Sequence, residues 1–372
     1  MESYINVDKN MVVNTTIGDA EVVWSNVINA PFELHGFYEP NNGEYFRRLP
    51  DDVAEATSKS VKLLHRESAG GRVRFSTNSP YIAIRARFLA VGRSSHLTLI
   101  SSAGFDLYSD GEFGSRFIKE FRLPMDTKES YEQIIHLNGE HLRSYTVNFP
   151  VHSVVEKLEI GLKPGAVLSA PRPYRNLAPI TVYGSSIVHG TAATRPGTTY
   201  PAIISRNFNI DYRNIGFSGH AKGEPAIARW LAELPTSVFV CDYDHNAPSV
   251  EHLHNTHYNF YSIIREKNPE LPYIMITRPN YWTCPNDKDI ILRRREVIMH
   301  SYLRARENGD ENVYFIDGMS FFIAPNQYEQ VVDGIHPNDA GFVRMADSIG
   351  TVIRYILEEG AENGNSHVKA FK

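Results

Sequence analysis

Apolar and polar residues alternate along the first half of the chain. Arg72-Val73-Arg74-Phe75, Tyr81-Ile82-Ala83-Ile84-Arg85-Ala86-Arg87-Phe88, His96-Leu97-Thr98-Leu99-Ile100 and Lys157-Leu158-Glu159-Ile160-Gly161-Leu162 put every second side chain on one face. Gly, Pro, Ser and Asn turns separate these runs. Period two over short stretches predicts half-buried antiparallel strands, so the segment from Glu21 to about Pro173 reads as a β-sandwich of jelly-roll type.

The pattern then changes. Short apolar runs alternate with helical periodicity: Ile180–Tyr183 then Tyr200–Asn207, Ser237–Cys241 then Val250–Lys267, Tyr273–Thr277 then Lys288–Glu307, Val313–Ile316 then Asp339–Glu358. Such alternation predicts an α/β unit, a parallel sheet with helices on both faces and its ligands at the C-terminal ends of the strands. The Pro-rich stretch Pro171-Arg172-Pro173-Tyr174-Arg175-Asn176 marks the expected boundary. The chain is therefore expected to hold a sandwich domain over residues 1–175, an α/β domain over 176–360 and a disordered tail over 361–372.

A length of 372 residues agrees with two domains, and 42% apolar with 22% charged residues agrees with a well-packed chain. No apolar run is long enough to span a bilayer, so no membrane association is expected. A formal charge of −5 argues against nucleic acid or an anionic lipid surface as partner. The N-terminus has no basic segment followed by an apolar stretch, and a cytoplasmic location is expected, with Cys241 and Cys284 as thiols.

The candidate chemistry lies where the α/β strands end. The run Ile180–Tyr183 leads into Gly184-Ser185-Ser186, whose second serine projects toward the crevice at the sheet's edge. Near the C-terminus, Asp333-Gly334-Ile335-His336-Pro337 places a carboxylate and an imidazole on one short loop. With Asp333 accepting from Nδ1, the His336 Nε2 is left to face a serine as a general base. Each fragment alone also reads as turn and helix-cap chemistry. Together they form the parts of a nucleophilic triad. Gly219, in Asn214-Ile215-Gly216-Phe217-Ser218-Gly219-His220, and Asn246, in Asp242-Tyr243-Asp244-His245-Asn246-Ala247-Pro248, follow other strands and join the Ser186 N–H as candidate oxyanion donors.

These four ordered blocks resemble the SGNH (GDSL-type) hydrolase family across roughly residues 178–358. The resemblance implies a flavodoxin-like α/β domain, Ser186 as nucleophile, His336 as base, Asp333 as its orienting partner, and Ser186, Gly219 and Asn246 as the oxyanion hole. The family's Gly-Asp-Ser is here Gly184-Ser185-Ser186, so a charge beside the nucleophile is missing. In the first half, Ala103-Gly104-Phe105-Asp106-Leu107-Tyr108 looks like the Gly-x-Asp-Leu-Tyr motif of the sandwich that precedes a subgroup of these esterases. That likeness implies a small-acyl esterase acting on acetylated sugars or related small esters.

The surrounding residues admit two readings each. Asp106 and Tyr108 either line the substrate entrance or form a turn that closes the domain interface, the second being preferred. His189 and His220 either line the pocket or serve as turn residues. Trp282, with Asn280 and Tyr281, either reaches the crevice mouth or packs in the core. His252 and His254 lie two apart on a predicted helix and face different ways, so no metal site is expected, and the chemistry calls for no cofactor. The same triad could transfer the acyl group to a sugar or other alcohol. A catalytically silent sugar-binding protein is the rival from another class. Exposed sandwich edges are compatible with a homo-oligomer.

Overall fold

The alternating half of the chain folds as two antiparallel sheets facing one another. The computed structural model describes residues 17–279, 288–322 and 326–362. Its first half contains β1 (Val23–Asn26), β2 (Glu33–His35), α1 (Asp51–Thr57), α2 (Lys59–Leu64), β3 (Arg72–Thr77), β4 (Tyr81–Ala90) and α3 (Leu99–Ala103). It continues with β5 (Phe105–Gly111), β6 (Gly114–Phe121), β7 (Ser130–His136), β8 (Arg143–Asn148), β9 (Val154–Leu162) and β10 (Leu168–Ser169). One sheet has the order β1-β9-β4-β7; the other runs β10-β3-β8-β5-β6, with β2 added beside β3. Val73, Phe75, Ile82, Ile84, Phe105, Leu107, Val147, Leu158 and Ile160 come from both sheets and form one buried core.

Two stretches of this half differ from the sequence expectation. His96–Ile100, expected as a strand, is a turn leading into α3. The Thr98 hydroxyl accepts from Ser101 N (3.1 Å) and caps that helix, while the carbonyls of Ser101 and Ser102 receive Val151 N and His152 N. Five alternating residues are too few to resist a good cap. The segment 51–64, which carries no period-two signal, forms α1 and α2, the latter capped by Ser58 through Val61 N at 3.1 Å.

The second half comprises β11 (Ile180–Gly184), α4 (Ser186–His189), α5 (Tyr200–Phe208), β12 (Tyr212–Gly216), α6 (Pro225–Ala232) and β13 (Val238–Asp242). There follow α7 (Val250–Lys267), β14 (Tyr273–Ile276), α8 (Lys288–Glu307), β15 (Val313–Ile316) and α9 (Asp339–Glu362). All pairs in its sheet are parallel, in the order β12-β11-β13-β14-β15. This is the flavodoxin-like order, and its direction reverses at β11, which opens a crevice at the C-terminal ends of β11 and β13. Side chains on each strand serve two cores. Val182 and Val240 pack under α5 and α9, whereas Tyr183, Phe239 and Cys241 pack under α6, α7 and α8. Helix α9 continues through Glu362, beyond the expected start of the tail at 361; the rest of that tail lies outside the described residues. Cys241 is a buried thiol, and Cys284 lies outside the described residues. Among the described residues no helix is long and apolar enough to cross a membrane.

Buried arginines join the halves. Arg48 donates from Nη1 to the carbonyls of Asn214 (3.1 Å) and Gly216 (2.7 Å) at the end of β12, and from Nε to Glu67 O (2.8 Å). Arg72 pairs with Asp211 and with the hydroxyl of Tyr174 (2.8 Å). The Gly-x-Asp-Leu-Tyr segment makes a third junction. Asp106 is fully buried, accepting from Asn148 Nδ2 (2.7 Å) and from Gly197 N (2.8 Å). Tyr108 is buried beside Phe117, with the Arg206 guanidinium 4.3 Å from its ring centroid. Burial pushes the Asp106 carboxyl above its ordinary value against these donors. Both side chains are buried in the contact between sandwich and α/β half and not at a substrate entrance, as the interface reading expects, but they stand on strand β5 and not in the turn that reading also expects.

A Cβ on Gly197 would stand 2.5 Å from a Tyr108 ring carbon and 2.9 Å from Asp106 Oδ2. Because both neighbours are buried, Gly197→Ala should cost about 1–3 kcal/mol. A denaturant melt measures this. An unshifted midpoint would mean that the 195–198 loop is not pressed onto the sandwich.

Candidate active site

The strand order brings the separate sequence blocks to one crevice. Ser186 follows β11, Gly219 follows β12, Asn246 follows β13, and the 331–337 loop precedes α9. Ser185 is fully buried and accepts from Ile187 N at 3.2 Å, so it is the cap of α4, and its own N–H donates to Asp242 O. That leaves the hydroxyl of Ser186, a residue 9% exposed, free of the cap. His336 Nε2 lies 2.8 Å from Ser186 Oγ. On its other side His336 Nδ1 lies 2.7 Å from Asp333 Oδ2.

The Asp333 carboxylate is held from both oxygens. Its Oδ1 accepts from the N–H groups of Ile335 (3.0 Å) and His336 (2.8 Å). Partial burial opposes its charge, but these backbone donors and the imidazole hold its pKa below the ordinary value. An ionised Asp333 accepts the Nδ1 proton and presents the Nε2 lone pair to Ser186. Asn338, whose Oδ1 accepts from Gly341 N, caps α9 instead, so Asp333 and His336 are not consumed as cap residues.

The three candidate oxyanion donors lie on neighbouring loops. Gly219 has φ +73°, a left-handed conformation that favours glycine, and a Cβ there would meet nothing within 4 Å. Asn246 sits on a 3₁₀ turn (Asp244–Asn246) and donates one Nδ2 hydrogen to Phe217 O at 2.9 Å, leaving its second. That bond ties the Asn246 loop to the Gly219 loop.

Residues that carried no chemical signal in the sequence hold these loops. Arg294 on α8 donates from Nε to Asp244 Oδ1 (2.8 Å) and from Nη1 to Ala247 O (3.0 Å), with a further bond to Asp244 O. It thereby encloses the turn that carries Asn246. Ile291, Arg294, Ile298, Ser301 and Ala305 are the buried positions of α8. An arginine on an apolar stripe of spacing 3-4-3-4 was the available signal. Asp244 also accepts from Arg278 N at 2.9 Å.

The remaining sequence candidates fall elsewhere. His189 is fully buried, not pocket-lining: its Nε2 lies 3.0 Å from both Val151 O and Glu67 Oε2, and its Nδ1 accepts from Ser218 N at 3.3 Å. Burial, followed by the charge of Arg48, pushes its pKa down to about 4. Glu67 also meets His152 Nδ1 at 3.1 Å, and despite burial these imidazoles hold its carboxyl well below the ordinary range. Glu67, His152 and His189 gather atoms that a metal could use. The arrangement does not suit one, because the Ser218 N–H and Val151 O together place the His189 proton on Nε2, where a metal would have to bind. His220 faces a cavity of about 480 Å³ lined by Thr57–Ser60, Lys222–Pro225, His252 and Thr256, and neither Ser186 nor His336 lines it. His189 is therefore a buried packing residue, whereas His220 lines a cavity apart from Ser186 and His336. Trp282, Asn280 and Tyr281 lie outside the described residues.

Comparison with known proteins bears on the family and the fold. The family model described as the GDSL-like Lipase/Acylhydrolase family matches residues 178–354. The model described as the N-terminus of Esterase_SGNH_hydro-type, GxDLY, matches residues 22–168. Among solved structures, a protein from Bacteroides ovatus named as a GDSL-like lipase is 28% identical over 91% of this chain and 98% of its own, with a TM-score of 0.82. The salicylyl-acyltransferase SsfX3 of a tetracycline biosynthetic pathway is 20% identical over 94% and 99%, with a TM-score of 0.73. A family two carbohydrate esterase from Clostridium thermocellum, in complex with cellohexaose, is 14% identical over 88% and 99%, with a TM-score of 0.61. At these last two identities the likeness is one of fold. No curated protein matches the chain.

Proposed function

Because this chain belongs to the SGNH (GDSL-type) hydrolase family, in the subgroup with an N-terminal GxDLY domain, and is an esterase, we propose that it removes short acyl groups, acetyl first, from sugar hydroxyls. The observation that carries the reading is the unbroken line from Ser186 Oγ through His336 to Asp333, with links of 2.8 and 2.7 Å. In this reading His336 Nε2 takes the Ser186 proton as Oγ attacks the ester carbonyl. The N–H groups of Ser186, Gly219 and Asn246 receive the oxyanion. His336 then gives its proton to the departing alcohol, leaving an acyl-enzyme. Water, deprotonated by His336, releases the acid and restores Ser186. No cofactor enters any of these steps. The cellohexaose complex of the Clostridium thermocellum esterase makes sugar esters the first alcohols to try.

The test is turnover of p-nitrophenyl acetate, butyrate and octanoate, together with labelling by a serine-reactive phosphonate. Activity falling steeply with acyl length, and a single phosphonate adduct on Ser186, are the expected results. Octanoate as the best substrate would remove the short-acyl reading, and an adduct on another serine would remove the site.

A further inference from the structure

The imidazole of His336 has a second histidine beside it, contributed by the sandwich. The ring centroids of His96 and His336 are 6.1 Å apart with planes inclined by 34°. His96 is exposed, in the stretch between β4 and α3 that the alternating pattern had disguised as a strand. This stretch is anchored on both sides. Gly92 N donates to Ser153 Oγ (3.0 Å), and the Thr98 hydroxyl donates to Thr194 O (2.6 Å) on the α/β half. Thr194 in turn donates its N–H to Asp339 Oδ1 at 2.9 Å, at the start of α9 just beyond the His336 loop. Ser94 Oγ lies 2.9 Å from His96 Nδ1 and orients the ring. The His96 Nε2 has no partner among the described residues.

The chemistry proposed above decides what this nitrogen would meet. His336 must return its proton to the leaving oxygen, so the alcohol portion of the ester lies against His336, whereas the carbonyl oxygen turns to the donors on the Gly219 and Asn246 loops. A side chain packed beside His336 at the solvent-facing edge therefore borders the alcohol. We infer that His96 Nε2 hydrogen-bonds a hydroxyl of that alcohol, so that the sandwich sets the enzyme's preference for polyhydroxylated alcohols. One ring nitrogen held by Ser94 and the other open gives the hydroxyl a directed partner. This role rests on the esterase reading of Ser186 and His336.

The test compares p-nitrophenyl acetate, whose leaving group bears no other hydroxyl, with methyl xylopyranosides carrying one acetyl at O2, O3 or O4, each assayed by acetate release. In His96→Ala and His96→Phe the ratio of kcat/KM on the best sugar ester to that on p-nitrophenyl acetate should fall about tenfold, the size expected for one lost hydrogen bond. The loss should appear in KM, and His96→Gln, which keeps a donor and an acceptor, should recover most of it. An unaltered ratio, whether both activities fall together or neither moves, would overturn the assignment. So would a wild type that cleaves p-nitrophenyl acetate but none of the sugar esters, with the esterase reading left standing. Absence of turnover on every ester would instead overturn the esterase reading, and this inference with it.

Discussion

Ser186→Ala should reduce kcat on p-nitrophenyl acetate by roughly 10⁴- to 10⁶-fold, the scale seen when an activated nucleophile is deleted from a triad. The substitution leaves His336 and Asp333 paired and the candidate oxyanion donors in place, so a small residual rate above that of water is expected from those donors and substrate positioning. Stability should hardly change. The hydroxyl that caps α4 belongs to Ser185, and among the described residues the Ser186 side chain bonds only to His336, which is itself partly exposed. The neighbouring serine supplies the control: Ser185→Ala removes the cap and should cost about 1 kcal/mol while leaving covalent labelling at position 186. If Ser186→Ala retains more than a few per cent of wild-type kcat, the nucleophile has been misassigned, and Ser185 is the first alternative to examine.

Arg294→Met is expected to be the most damaging substitution remote from the crevice. Asp244 has no exposed side-chain surface, and Arg294 is its charged partner. Deleting one member of a buried pair leaves the other charge uncompensated, a loss of about 3–5 kcal/mol. The same guanidinium closes the 3₁₀ turn that carries Asn246, so turnover by the folded fraction should also fall, up to about a hundredfold for a displaced oxyanion donor. Thermal melts and kcat measured well below the transition separate the two effects. Arg294→Lys keeps a charge but lacks the fork and should fall between the variants. Adding Asp244→Asn to Arg294→Met should recover stability, because no buried carboxylate then remains unpaired, without recovering the geometry of the turn. Wild-type melting and wild-type kcat in Arg294→Met would show that the clamp neither stabilises the fold nor positions Asn246.

The same residue shows where reading from sequence stopped. Arg293-Arg294-Arg295 looks like a solvated basic run, and only the helical phase of its apolar neighbours separates the buried member from the others. Arg48 had no periodic context at all, yet two of its four hydrogen bonds go to carbonyls at the end of β12 and fix the chain just before Gly219, the other two holding Glu67 O and Leu64 O. His189 looked like a pocket residue because it stands three positions after Ser186, and sequence proximity is a poor guide on a helix whose next turn faces the sandwich. His96 was hidden for the opposite reason: a short alternating run disguised a capped turn.

The two-part architecture, the parallel sheet and its principal helices, and the ordered motif blocks were determined by the sequence alone. Period-two and helical patterns are local consequences of burying one face, and a Gly-flanked serine or an Asp-x-x-His loop carries its chemistry within a few residues. What only the tertiary structure decided is which side chains from distant segments meet: Arg48 with Gly216, Glu67 with His189, Arg294 with Asp244, Asp106 with Gly197, His96 with His336. Each of these contacts crosses between elements, and two of them, Arg48 with Gly216 and Asp106 with Gly197, join a buried side chain to a backbone atom. Such pairings are set by how the sheets and helices pack, and no local propensity encodes them.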